Sequence, residues 1–337
     1  MAKRQPPGRH TYSPSEVAAI ARITKNTLLD WEREGKIDPV HRDHNNHRVY
    51  SPEQVSSIVR LAGICPRRRI AVVNQKGGVG KTTTTFNLGA CLAHAGMRVL
   101  LIDLDAQANL TISFGFNPDE IEKTSHDLLV DEETPLDQVI VPTDFPNLHI
   151  VPADIRLAGA DVKLREMIMR ERILDSKLLP FHQQYNFILF DCPPNLSSIT
   201  INALVACTDT IVPVETQFYS MKAIDDLTST LNLIKTKMNH SIRTWILPTK
   251  IDRRIKVHQG ILAMLEKNFR GRLLTPIVTD AKLGSAPMIK QPIIYSFPSS
   301  RSTTDYRRLC QEVLEHEPQA GGDLRDPARE PATESVG

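Results

Sequence analysis

Residues 70–85 read IAVVNQKGGVGKTTTT, and the order of parts in that stretch decides the fold. An apolar, β-branched run leads into a glycine-rich turn, and small and apolar residues then recur at a spacing that predicts a helix from Lys81 to Ala95. Strand, glycine loop and helix in that order gather backbone N–H groups and a helix N-terminus around one point, which is how phosphate oxygens are cradled. Lys76, Gly77, Gly78, Val79, Gly80, Lys81, Thr82 and Thr83 are therefore the expected nucleotide-binding residues. In the pattern G-x-x-x-x-G-K-[ST] the lysine reaches the β- and γ-phosphates and the next hydroxyl ligates Mg²⁺. Lys81 and Thr82 take those places, so ATP and Mg²⁺ are the expected cofactors. The loop departs from the pattern twice: Gln75 stands where its first glycine belongs, and Lys76 adds a second ammonium at the entrance.

Outward from the loop, RVLLIDLDAQANLT (98–111) reads as a strand ending in Asp103 and Asp105, and YNFILFDCPPNLS (185–197) as one ending in Asp191. Carboxylates at the C-terminal edge of a sheet lie where open α/β folds bind ligands. Asp191 is the natural acid to hold a Mg²⁺ shell through water. Further apolar runs, HIVPA, TIVPVE, RTWILPT and LLTPIV, alternate with helical patterns. Runs apolar on both faces predict a mainly parallel, doubly wound α/β sheet of the P-loop NTPase type, and the two short helical patterns before it, with the turn-rich RDHNNHRVY (42–50) after them, read as a small winged helix-turn-helix domain. The expected division is a DNA-binding domain over 1–64, a linker over 65–69, the α/β domain over 70–316 and a disordered tail over 317–337, where Pro, Gly and acid displace any apolar period.

With 41% hydrophobic and 24% charged residues the chain has the composition of a globular protein rather than a fibrous or disordered one. It holds no apolar run long enough to span a membrane, and its basic start leads into no apolar segment, so a cytoplasmic location is expected. The five cysteines lack C-x-x-C spacing and read as reduced thiols. Charge is uneven: residues 1–69 hold 13 Lys and Arg against 7 Asp and Glu, which suggests a nucleic-acid surface. Within them, Ser13 or Ser15 can cap a short helix, EVAAIARI gives it an apolar face, and TKNTLLDWEREG forms a second helix closed by Gly35.

KGGVGKTTT, DLDAQANLT and FDCPPNLS together resemble the deviant Walker A ATPases of the ParA/MinD family, the partition type most of all. The likeness runs from about Ile70 to Leu314, with QPIIYSFPSSRSTTDYRRL similar to the family's last strand and helix. The resemblance implies that Lys76 crosses a nucleotide-sandwiched homodimer to the partner's phosphates, that Asp105 positions the attacking water, and that Asp103 and Asp191 serve Mg²⁺. Lys76, Lys81 and Asp105 are thus the expected catalytic residues, and Thr82, Asp103 and Asp191 the metal residues. It also implies ATP-dependent binding of nucleoid DNA without sequence preference, ended when a ParB-like partner stimulates hydrolysis. Arg254 falls on the family's Arg-bearing stretch, with Arg253, Lys256, Lys282 and Arg301 as further phosphate contacts. Thr279-Asp280 departs from it, standing where many relatives carry Arg-Asn.

Residues 10–56 resemble the MerR DNA-binding domain: Tyr, helix, turn, helix, Trp-Glu-Arg-Glu-Gly, wing, Arg-Val-Tyr. That likeness implies DNA contacts by Lys25, Asn26 and Thr27 on the recognition helix and by Arg42, Arg48 and Tyr50 on the wing. Asn26, Leu29 and Asp30 replace the arginines and tyrosine usual there. Specific DNA binding, for autoregulation, is the favoured reading over a module that docks a protein. Two alternatives for the whole chain stay open: a MinD-like positioning ATPase, and a transcription regulator that uses the ATPase domain as a dimerisation switch.

Overall fold

The computed structural model describes residues 11–43, 45–63, 67–181, 183–215, 220–252 and 254–315, with the backbone alone for 220–226. The expected tail, the linker residues Cys65 and Pro66, and Arg253 lie outside them. The N-terminal module consists of α1 (Pro14–Ile20), α2 (Lys25–Arg33), a hairpin of β1 (His41–Arg42) and β2 (Arg48–Val49), and α3 (Pro52–Leu61). Local chemistry starts each helix. Ser13 and Ser51 form capping boxes with Glu16 and Gln54, each followed by a proline whose fixed φ suits the first helical position, and Thr24 caps α2.

The α/β body follows as β3 (Arg68–Val72), α4 (Lys81–His94), β4 (Val99–Asp103), α5 (Asn109–Ser113), α6 (Ser125–Val130), β5 (Val141–Pro142), β6 (Leu148–Val151), α7 (Ala160–Glu166), α8 (Ile173–Leu178), β7 (Phe187–Asp191), α9 (Ser198–Ala206) and β8 (Asp209–Glu215). It closes with α10 (Ser220–Met238), β9 (Arg243–Thr249), α11 (Lys256–Asn268), α12 (Ala281–Ser285), α13 (Ile293–Ser296) and α14 (Arg301–Glu315). The sheet order is β5-β6-β4-β7-β3-β8-β9, parallel except for β5 against β6. This is the doubly wound sheet expected, with β3, the strand before the glycine loop, in its interior. Helices cover both faces, so β4 and β7 are buried along their whole length.

Three elements differ from the sequence reading. The first strand of the body starts at Arg68, inside the expected linker, because that arginine is buried against Asp209: Nη2 lies 2.8 Å from Oδ1 and Nε donates to Oδ2 at 3.0 Å. The LLTPIV segment is no strand. It touches β9 and Ile251, two residues past that strand, through the single bridges Ile246↔Leu273 and Ile251↔Val278, since Pro276 has no N–H to continue a ladder. The expected last strand, in QPIIYSFPSS, is the short helix α13. Pro292 starts it, and the Ile293 amide donates to Asn87 Oδ1 at 2.8 Å.

The N-terminal module shares one apolar core with the α4 side of the sheet: Tyr12, Val17, Leu28, Tyr50, Val55 and Ile58 are continuous with Phe86, Leu92 and Met97. Polar contacts fix the docking. Buried Ser56 donates to the Gly96 carbonyl at 2.7 Å and accepts from Asn147 Nδ2 at 3.1 Å, while the Tyr12 ring lies 4.9 Å from that of His94 at the end of α4. Gly96 is required there twice over, for its φ of +79° and because a Cβ would stand 2.8 Å from Val55 Cγ1.

Candidate functional site

The glycine loop spans the gap between β3 and α4 and is fastened on two sides. Asn74 donates to the Pro213 carbonyl at 2.7 Å and accepts from the Lys76 amide at 2.9 Å. Thr249, at the end of β9, donates to the Val79 carbonyl at 2.8 Å. Gly78 and Gly80 adopt φ of +74° and +97°, and a Cβ built on Gly77 or Gly78 would meet nothing within 4 Å, so the loop encloses open space. Lys81 opens α4 with its side chain folded back, Nζ 3.1 Å from the Lys76 carbonyl. Burial lowers its pKa, and nearby Asp191 opposes that shift. Thr82 and Thr83 are half-buried on the first turn.

The acids converge on the same edge. Parallel pairing sets Asp103 opposite Asp191 and Val72 opposite Asp191, so β3, β4 and β7 end together beneath the loop. Asp103 Oδ2 accepts from both the amide and the hydroxyl of Thr111 at 3.0 and 2.7 Å, which ties α5 to the strand end. Asp105 lies two residues past the strand rather than at its tip, half-buried, where its Oδ1 accepts from the Gln107 amide at 3.0 Å. The turn is completed by Ala108 at φ +51°, a left-handed conformation uncommon in non-glycine residues.

Asp103 and Asp191 are fully buried, and desolvation pushes both carboxyls up. For Asp191 the neighbouring Asp103 charge adds to that, while a hydrogen bond from Thr82 opposes it. Asp191 Oδ2 has no hydrogen-bond partner among the described residues. Two buried acids side by side, one with an orphaned oxygen beside a threonine hydroxyl, fit a divalent cation. A cavity of about 230 Å³ adjoins the loop, lined by Gly80, Thr83, Thr249, Lys250, Thr279 and Asp280 among others.

All the expected phosphate and metal residues thus meet at one edge. Three further residues take part that carried no assignment in the sequence: Asn74, Thr111 and Glu215. Glu215 ends β8, and its Oε2 lies 2.9 Å from Lys76 Nζ. The only signal for it was its place at the end of the apolar run TIVPVE.

The expected nucleic-acid residues divide. Lys25 and Asn26 are exposed on the first turn of α2, and the Thr27 hydroxyl lies 2.8 Å from that of Thr24. Arg42 donates to the Asn46 carbonyl within the hairpin, and Arg48 Nε is paired with Glu32 at 2.9 Å. Tyr50 must be withdrawn as a DNA contact. It is 0% exposed, paired through its backbone with Tyr12, and its ring belongs to the core. Lys256 is exposed at the start of α11. Arg254 is exposed but clamped to Asp252, Nε to Oδ1 at 2.9 Å and Nη2 to Oδ2 at 2.6 Å, which holds the Asp252 carboxyl well below the usual range. Asp280 caps α12 and accepts from the Ser302 hydroxyl at 2.8 Å, so the acid at this place has a structural role.

A family model described as an AAA domain matches residues 67–244, and one described as the MerR HTH family regulatory protein matches residues 12–62. The sporulation initiation inhibitor protein Soj of Bacillus subtilis is 39% identical over 246 residues, covering 72% of this chain and 97% of that protein. The chromosome partitioning protein ParA of Myxococcus xanthus is 34% identical over 252 residues, covering 74% and 89%. A solved structure of cobyrinic acid a,c-diamide synthase from Mycobacterium smegmatis, with bound ADP and magnesium, superposes with a TM-score of 0.65 at 31% identity, covering 74% of this chain and 94% of that one.

Proposed function

Because the chain belongs to the ParA/Soj family of deviant Walker A ATPases, with a MerR-type helix-turn-helix at its N-terminus, we propose that it hydrolyses ATP to drive DNA partition or the positioning of a cargo. In this reading the ATP form is a homodimer that binds nucleoid DNA without sequence preference, and a ParB-like partner releases it by stimulating hydrolysis. The carrying observation is the meeting of Lys76, Lys81, Thr82, Asp103, Asp105 and Asp191 at one sheet edge.

The chain's own residues have separable tasks. Backbone amides of the loop and the α4 N-terminus bind phosphate, and Lys81 exchanges its bond to the Lys76 carbonyl for phosphate oxygens. Thr82, Asp103 and Asp191 would hold Mg²⁺, which when bound neutralises charge developing on the phosphoryl group. Asp105, on the turn beyond β4, orients the water. Lys76 acts in trans, as an arginine finger does, so the site is complete only in the dimer.

The MerR-type module supports a second role, sequence-specific DNA binding through Lys25 and Asn26, for which its exposed recognition turn speaks. Co-sedimentation of the full chain with random-sequence DNA tests the main reading. Binding is expected with ATP and with a slowly hydrolysed analogue but not with ADP, and it is expected to fall with salt and to vanish in Lys81→Ala and Lys76→Ala. A strict requirement for one DNA sequence, with no ATP-dependent binding to random DNA, would instead favour a regulator that uses the ATPase domain as its dimerisation switch.

A further inference from the structure

Lys76 is held within its own subunit by a carboxylate that has a second cation in reserve. Glu215 accepts from Lys76 Nζ at 2.9 Å through Oε2 and from Lys250 Nζ through Oε1. The Glu215 side chain is 10% exposed and that of Lys76 40%. Glu215 is the last residue of β8, in register with Thr249, so the sheet fixes the acid while Lys76 sits on the loop. Burial raises the Glu215 carboxyl, but hydrogen bonds from Lys250 and Lys76 outweigh it and keep it ionised.

From this geometry we infer that Glu215 is a positioning residue: it holds Lys76 in cis and competes with nucleotide phosphate for it, so that dimer formation requires this ion pair to be exchanged. The inference rests on the trans role proposed above for Lys76. Lys250 makes the exchange feasible. A buried acid stripped of its only partner is costly, whereas Glu215 keeps one cation when the other leaves. Phosphate carries more charge than one carboxylate, so it wins when a second subunit presents it. Glu215 thus sets the threshold, and an ion pair of this exposure is worth about fivefold in an equilibrium constant.

Sedimentation velocity of the full chain with Mg²⁺ and ATPγS, over a range of protein concentrations, tests this. Glu215→Gln should lower the concentration of half-dimerisation about 25-fold, roughly fivefold for each of the two pairs exchanged. Lys250→Met, which removes the other lysine bound to the acid, should raise it. A merely structural role would move both variants the same way. Lys76→Ala should not dimerise, and adding Glu215→Gln to it should change nothing. If Glu215→Gln and Lys250→Met shift together or not at all while Lys76→Ala still loses the dimer, the competition is wrong and the trans lysine stands. If Lys76→Ala dimerises like the parent, the trans role itself falls. Far-UV spectra establish that each variant is folded, and should Glu215→Gln fail to fold, the direction of the Lys250→Met shift decides.

Discussion

Asp103 and Asp191 face each other across the parallel ladder of β4 and β7, both wholly buried, with Asp191 Oδ2 lacking a hydrogen-bond partner among the described residues. The pairing register alone puts two carboxyl groups side by side, and it does so under the glycine loop. An arrangement that is unfavourable without a cation is the expected form of a site that binds one.

The first prediction follows from that strain. Both carboxyls titrate above the ordinary range in the folded state, so the native protein binds protons more readily than the unfolded chain, and the destabilisation grows as pH rises from the usual carboxylate pKa through the raised one. Asp191→Asn should therefore raise the Tm of the nucleotide-free protein at pH 7.5, by about 2–4 °C, and leave it nearly unchanged at pH 4.5. The same variant should lose the further rise that Mg²⁺ with ADP gives the parent. Differential scanning fluorimetry across pH, with and without Mg²⁺·ADP, reads both effects.

A second prediction concerns Asp209, which is buried and ionised. Desolvation pushes its pKa up, but hydrogen bonds and charge from Arg68, with Thr208 and Arg243, more than reverse that and hold it low. Its stabilising contribution is present above the unfolded carboxylate pKa and is lost as pH falls through the lower folded value. Asp209→Ala removes the buried acid that pairs with Arg68 and Arg243 and should cost about 3–5 kcal/mol in urea unfolding at pH 7. A loss below 1 kcal/mol would mean that water replaces the acid without penalty.

Lys25 and Tyr50 should separate in a third experiment. Lys25→Ala should weaken binding to an operator fragment and lower the salt slope by about one while leaving Tm unchanged. Tyr50→Ala, in the core, should lower stability by about 3–5 kcal/mol. Fluorescence anisotropy beside thermal melts checks the contrast, and a Tyr50→Phe protein that melts normally but fails on DNA would restore the tyrosine to the interface.

The clamp on Arg254 yields a fourth. With Asp252 paired to it through both carboxylate oxygens, the guanidinium must be released before it can meet a phosphate. Asp252→Ala should strengthen ATP-dependent binding to random DNA, and Arg254→Ala should weaken it. Filter binding at a fixed salt concentration measures both, and equal affinities for the two variants would place the DNA surface elsewhere.

Much of the site was legible because local rules produce it. Glycines followed by Lys81 and Thr82, and acids closing apolar runs, are a local pattern, and the sheet order brings them to the one edge that pattern pointed to. What stayed hidden depends on partners far away in the chain. Arg68 reads as part of a basic linker until Asp209 is seen opposite it. Tyr50 fits a wing contact until Tyr12 is seen pairing with its backbone and the core closing over its ring. Glu215 looks like the end of one more strand, and only the parallel order β3-β8-β9 brings it to Lys76 and Lys250. LLTPIV shows the converse, since an apolar run with a proline offers burial without a ladder.

The docking of Ser56 on Gly96 carries one last consequence. A helix-turn-helix on a flexible tether samples many half-site separations, and each copy finds its groove independently. Seated in the same core as α4, this module has no such freedom, so in a symmetric pair of chains the separation of the two α2 helices would be dictated by the ATPase interface. The protein would then act as a ruler, and the spacing of its operator half-sites would be a measurement of its own dimer.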